Sequence, residues 1–207
     1  MASTIQVDNI KDIGGNTIIS SNGSGTFTSN LPAVAPNVST ATGTLPIANG
    51  GTGAATLAAA GLTNKPAFNV KISSNQDVSS GVTTVVGFNS EQVDTDNAFN
   101  TTTYRFVPQT AGKYFIAFTI YALTASAGNG NLRAITANIR KNGSNQTQVV
   151  QDYNNSFIRQ GCATTTAVID MNGSTDYIDF TSDVSAGSGD GRFENHTRAN
   201  GFLLIGA

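Results

Sequence analysis

Between Tyr114 and Leu123 the chain reads Tyr-Phe-Ile-Ala-Phe-Thr-Ile-Tyr-Ala-Leu. Aromatic and β-branched residues suit a pleated, packed surface. The run is far shorter than the ~20 apolar residues a membrane-crossing helix needs. Drawn out as a strand, it sends Tyr114, Ile116, Phe118 and Ile120 to one side and Phe115, Ala117 and Thr119 to the other. Both sides are apolar, so two layers must cover it. One cover is the second sheet of a sandwich. The other open to it is a neighbouring copy of the chain.

The surrounding residues carry the same all-β signal. Alternating segments bounded by Gly, Asn, Pro and Ser predict strands over 68–73, 83–88, 102–107, 112–123, 132–141, 146–153, 162–170, 176–182 and 198–205. Asn142-Gly143 and Asn172-Gly173 are read as tight turns, because a type I′ turn needs positive φ at both central residues. No long helical periodicity appears beyond Pro66.

The first third differs. Ile5, Val7, Ile10 and Ile13 precede Gly14-Gly15-Asn16, and Ile18 and Ile19 follow, which predicts two short strands about a glycine turn. An isolated hairpin is marginal in water, so this piece is expected to dock onto something. From Ile13 to Asn64 there is no charged residue, whereas disordered linkers usually carry charge or abundant proline. Such a strip suits an extended chain packed against copies of itself. Ala54 to Ala60 is expected to form one short helix. Charge returns at Lys65-Pro66, giving expected boundaries of 1–30 for an anchoring segment, 31–65 for a stalk and 66–207 for a head.

Composition narrows the function classes. Charged residues are 12% of the chain, about half the usual share. A net charge of −2 offers no basic field for nucleic acid, and no apolar run is long enough for membrane insertion. Cys162 is the only cysteine, so no intrachain disulfide can form. The N-terminus lacks the basic and apolar regions of a secretory signal, so assembly inside a cell is expected. Catalytic groupings are missing. His196 is the only histidine and sits in a polar stretch, with no serine elbow or reactive-cysteine signature elsewhere. Asp94 and Asp96 do not make an EF-hand, because Phe99 and Arg105 stand where its Gly and final Glu belong. Gly50, Gly51 and Gly53 follow no strand and precede no Gly-Lys-Ser/Thr, which speaks against a phosphate loop.

Two resemblances sharpen these readings. Phe88, Asp94, Phe99, Phe106, Gly112, Tyr114 and Phe118 fall in register on the signature of the complement C1q globular head, a relative of the tumour-necrosis-factor jelly roll. Ile116 departs, standing where that family has Phe, a mild volume change. Asn200-Gly201-Phe202-Leu203-Leu204 resembles the family's closing strand. The resemblance implies an all-β jelly-roll sandwich, with Phe88, Phe99, Phe106, Tyr114, Ile116, Phe118 and Phe202 in its core. It also implies a homotrimer with Phe115 and Leu203 at the threefold axis. Upstream, Leu45-Pro-Ile-Ala-Asn-Gly-Gly-Thr-Gly53 and its alanine-rich continuation are similar to a module of phage tail fibres. The opening Met-Ala-Ser-Thr-Ile-Gln-Val-Asp-Asn-Ile resembles the start of tail-fibre proteins of aquatic bacterial viruses.

Together the resemblances imply a short trimeric fibre or spike of a bacteriophage virion, not an enzyme. Its N-terminus, with Ile5, Val7 and Ile10, would attach to tail or baseplate proteins. Its head would bind a glycan or protein of the host surface. Chain direction places the loops 124–131, 154–160 and 183–197 at one end, and they carry Phe157, Arg159, Arg192, Phe193 and His196 as candidate receptor contacts. No cofactor is expected; calcium is an alternative through Asp183, Asp190 and Glu194, as in some family members. The competing functions are a head or neck decoration fibre, a depolymerase and a soluble ligand of the tumour-necrosis-factor type.

Overall fold

The computed structural model describes residues 8–21, 27–29, 53–54, 56, 59–61, 63–125, 131–156 and 158–206. The chain divides into two compact units, Met1–Ala55 and Thr56–Ala207. In the first, β1 (Asn9–Lys11), β2 (Thr17–Ser21) and β3 (Phe27–Ser29) form an antiparallel sheet in that order. The glycine turn expected between the first two is present. Asp12 closes it, accepting from the Asn16 backbone at 2.8 Å and from its side-chain amide at 2.9 Å, while Gly15 takes φ 80°. These bonds hold the Asp12 carboxyl below its usual range. Ile10 is 48% exposed, while Ile5 and Val7 lie outside the described residues.

The second unit opens with a turn at Thr56, and residues 55, 57 and 58 of the expected short helix lie outside the described residues. Ala60 N–H donates to the Thr56 carbonyl and Ala59 N–H to Thr56 Oγ1, and among the described residues no helix follows. Among the described residues the head is built of thirteen strands: β4 (Ala67–Lys71), β5 (Gln76–Val78), β6 (Thr84–Val85), β7 (Ser90–Asp94), β8 (Phe99–Asn100), β9 (Arg105–Phe106), β10 (Gly112–Thr124), β11 (Leu132–Lys141), β12 (Ser144–Asp152), β13 (Gln160–Met171), β14 (Ile178–Ala186), β15 (Gly191–Phe193) and β16 (Arg198–Leu203). One sheet runs β5-β15-β10-β16-β4-β7, with β13 also on β10; the other runs β12-β11-β14-β9-β8, with β6 on β14. All head pairings are antiparallel.

The central run behaves as its alternation demands. Tyr114, Ile116, Phe118, Ile120 and Ala122 are fully buried, and the residues between them are half-buried. β13 pairs with β10 over its whole length from Gly112 to Leu123, while β16 and β15 share its other edge at 114–119 and 122–124. An aromatic cluster fills the sandwich. Phe88 lies edge-on to Phe99, Phe118 and Phe180, with centroids 6.5, 6.1 and 5.5 Å away. Phe68 packs on Phe106 at 4.4 Å, and Phe106 meets Tyr114 at 5.5 Å. The Tyr114 hydroxyl donates to the Thr110 carbonyl at 2.8 Å. Burial, with the charge of Asp96 adding, pushes that phenol up to about 12, so it remains a neutral donor.

The head begins and ends at one pole. Leu203 N–H donates to the Pro66 carbonyl at 3.1 Å. The tight turns gather there. Asn142 and Gly143 have φ 52° and 81°, the type I′ turn the dipeptide demands. Asn172-Gly173 differs from the expected pattern, since only Gly173 takes positive φ, 67°. Asn172 instead closes a longer loop, its Oδ1 accepting from the backbones of Ser174, Thr175 and Asp176. A Cβ on Gly173 would strike the backbone of Thr110 and Ala111, so the loop sits tight against its neighbour.

Asp176 joins the two turns. Its carboxylate meets Lys141 Nζ at 2.8 Å, the Asn142 amide at 2.8 Å and the Asn172 N–H at 2.9 Å, which holds it down to about 2. The folded value lies below the ordinary ~3.9, so the carboxylate stabilises the head above pH about 4 and ceases to do so as pH falls towards 2. Asp176→Asn is expected to be less stable than the parent at neutral pH, with the difference closing below pH about 3. Urea unfolding across that range checks this; a constant difference would remove the charge from the account.

Candidate functional site

The pole opposite Pro66 and Leu203 is made of longer connections tied to one another by backbone bonds. Ala125 N–H donates to the Asp190 carbonyl at 2.7 Å, and Gly187 N–H to the Asn131 carbonyl at 2.8 Å. The Asn131 amide donates to Ser188 Oγ at 2.7 Å, and Leu132 pairs with Ile158. The loops following β10, β12 and β14 therefore meet at this pole, as strand direction requires in an antiparallel sandwich. Tyr153 lies over Gly161, where a Cβ would stand 2.7 Å from its hydroxyl, and burial raises that phenol's pKa. Gly187 likewise leaves room for the Arg133 side chain.

The residues expected to meet a receptor are placed unequally. Arg159 and His196 are exposed, and His196 stands edge-on to Tyr121 at 6.0 Å. Arg192 sits on β15 and forms a two-bonded ion pair with Asp77 on β5, which lowers the pKa of Asp77 and raises that of Arg192. Asp77 is 63% exposed, so the pair contributes little to stability; its effect is to fix the guanidinium. Phe193 corrects the expectation. It is fully buried, inward on β15 beside Ala122, and so packs the core instead of facing a ligand. Phe157 lies outside the described residues. Asp183, Asp190 and Glu194 are not gathered into one ligand set. Asp183 stands opposite Thr136 within the second sheet, Asp190 lies beside Ala125, and Glu194 accepts from the Asn75 amide at 3.3 Å. Among the described residues no group of three potential ligands could hold a metal.

A second surface lies on the outer face of the β10 sheet. Phe115 is flanked in register by Phe202 on β16 and Val168 on β13, with Ala67 beyond Phe202. The two rings are 5.6 Å apart, and Val168 is 58% exposed. Lys113 and Asp170 pair at 2.8 Å on one side of this patch, and Thr119 and Thr164 share a 2.9 Å hydrogen bond on the other. Phe202 and Leu203 face opposite to expectation: Phe202 is not in the sandwich core, and Leu203 is not on the outer face. Phe202 pairs outward with Phe115, whereas Leu203 lies opposite Tyr114 and packs against the core. The parity was available in the sequence. Arg198 and Asn200 point outward, so Phe202 must follow them and Leu203 must follow Ala199 and Gly201.

The C1q domain family matches residues 67–204, more than half of the chain. The chain belongs to the C1q-domain family. Solved structures sharing the fold include the globular domain of zebrafish complement 1qA protein, 18% identical, with a TM-score of 0.51 over 68% of this chain and 98% of that one. Eiger TNF from S. frugiperda is 12% identical, with a TM-score of 0.50 over 68% and 93%. No curated protein matches the chain in sequence.

Within this C1q domain the signature residues have visible work. Asp94 accepts from the backbones of Ala98 and Phe99 at 2.9 and 3.0 Å, closing the loop that delivers Phe99 to the core. Gly112 takes φ 148°, and a Cβ there would stand 2.8 Å from Leu203 Cδ1. Gly201 admits Ile116, whose Cδ1 would lie 2.5 Å from an added Cβ.

Proposed function

We propose that the chain is a non-enzymatic virion protein, a short trimeric tail fibre or spike of a bacteriophage. In this reading its N-terminal segment attaches to tail or baseplate proteins, and its C1q domain binds the host surface through the loops at the free pole. The observation that carries the reading is the joining of a fibre-type, uncharged segment holding Leu45-Pro-Ile-Ala-Asn-Gly-Gly-Thr-Gly53 to a C1q domain. Two features of the head support it. Phe115, Phe202 and Val168 leave apolar surface in the middle of a sheet face, where contiguous patches mark interaction sites; three copies of this face, closed about an axis, would cover it. The longer loops stand at the pole opposite Pro66, where recognition by a rigid scaffold is ordinarily carried.

Arg159, Arg192 and His196 are the contact side chains in this proposal, suited to anionic groups or sugars. A combined Arg159→Ala, Arg192→Ala and His196→Ala change is expected to reduce adsorption of the virion at least about tenfold, which corresponds to about 1.4 kcal/mol. Adsorption kinetics on host cells measure it, with the melting temperature as a control for the fold. Normal adsorption by a stable variant would remove recognition from this pole. Gold-labelled virions imaged by electron microscopy place the protein on the tail, or on the head or neck if its work is decoration.

A further inference from the structure

Between β6 of one sheet and β7 of the other, the chain crosses the flank of the head and leaves a cleft of about 300 Å³. That volume is at the lower end of the range for small-molecule sites, about 300–1,000 Å³. Ser74, Asn75, Gln76, Asn89 and Tyr104 line it about Gly87.

The amides are held in fixed orientations. Gln76 Oε1 accepts from Gly87 N–H at 2.9 Å and its Nε2 donates to the Val85 carbonyl at 3.1 Å. Asn89 Oδ1 accepts from Ser73 N–H at 2.8 Å, and Asn75 is gripped by the Asn195 backbone and Glu194. Asn89 Nδ2, Ser74 Oγ and the Tyr104 hydroxyl have no partner among the described residues. Tyr104 itself is held at φ 58°, a conformation disfavoured for a bulky residue and kept only where its surroundings impose it. Its phenol tip stands beside Gly87, where a Cβ would be 3.6 Å from Cζ.

The chemistry of this lining is selective. Among the described residues no lining side chain is charged, so neither an anion nor a cation finds a counter-charge there. What it offers is an aromatic side chain, one amide donor and two hydroxyls that both donate and accept. A sugar ring presents the complement: hydroxyls alternating as donors and acceptors at its edge, and C–H groups on its faces that pack on an aromatic ring. We propose that this cleft binds a single neutral hexopyranose residue. The cleft adjoins the 183–197 loop through Asn75, but Arg159, Arg192 and His196 are not among its lining residues, so its ligand does not depend on their role.

The test is amide NMR of the full-length ¹⁵N-labelled protein, titrated with the methyl glycosides of glucose, galactose, mannose and N-acetylglucosamine. At least one is expected to give saturable, millimolar shifts at Gln76, Gly87 and Asn89. Gly87→Ala, which puts a methyl group 3.3 Å from Gln76 Oε1, is expected to weaken that binding at least about tenfold. Asn89→Asp provides the second variant, since it keeps an acceptor for Ser73 N–H and replaces the free amide donor with a charged, acceptor-only carboxylate oxygen. It too is expected to lose the shifts, whereas Arg159→Ala retains them. The absence of saturable shifts with all four glycosides would overturn the proposal. So would binding unchanged in a folded Gly87→Ala or Asn89→Asp protein, or shifts confined to the free pole. Virion adsorption is read in separate variants, so each site fails or stands by itself.

Discussion

Phe88→Ala is expected to lower the stability of the head by about 3–5 kcal/mol, at the high end for one core residue. The ring is fully buried and meets three others, Phe99, Phe118 and Phe180. Truncation removes its burial and opens a hole whose walls come from both sheets, through Phe118 on β10 and Phe180 on β14. Neither sheet can close the hole alone, because each strand is pinned by its neighbours. For a domain of this size each kcal/mol moves the melting temperature by about 2–4 °C, so a fall of about 10 °C is expected by calorimetry. A fall of only a degree or two would mean that the aromatic cluster repacks.

Replacing Phe115 and Phe202 together with Asp is expected to convert the proposed trimer to a folded monomer. Both rings lie on the outer face, so the change leaves the sandwich interior untouched. Burying a large apolar side chain contributes roughly 1.5–3 kcal/mol, and two residues in each of three copies would be lost at once. Six carboxylates would then converge about an axis, adding a desolvation cost that no partner offsets. Sedimentation equilibrium decides the matter. A variant that still sediments as a trimer would move the interface elsewhere. A Leu203→Asp change would be a poor substitute, because Leu203 packs against the core and its loss reports on folding.

Much of the head was legible because long alternating strands announce themselves. Residues 112–123 and 132–141 carry enough period-two pattern to set both the strand and its buried side. The short strands were invisible for a physical reason. Gln76–Val78, Ser90–Asp94 and Gly191–Phe193 are strands because neighbours offer them hydrogen bonds, and their own composition is largely polar. Phe193 was misread on that account. Amid Gly, Arg, Glu, Asn and His it looked like a loop aromatic, yet pairing with β10 turns it inward. The loop pole followed from strand direction alone, whereas the flank cleft did not. Its residues come from three separate stretches, 72–76, 87–89 and Tyr104, and no local pattern joins them.

The bond from Leu203 N–H to the Pro66 carbonyl has a mechanical meaning. A force applied between these two neighbouring points would peel β16 from β4, rupturing their hydrogen bonds one after another. A force applied between the free pole and Pro66 runs along the strands instead, and loads the bonds of the ladder in parallel as shear. The same sheet is therefore a zip when tugged at its root and a lap joint when pulled from its far tip.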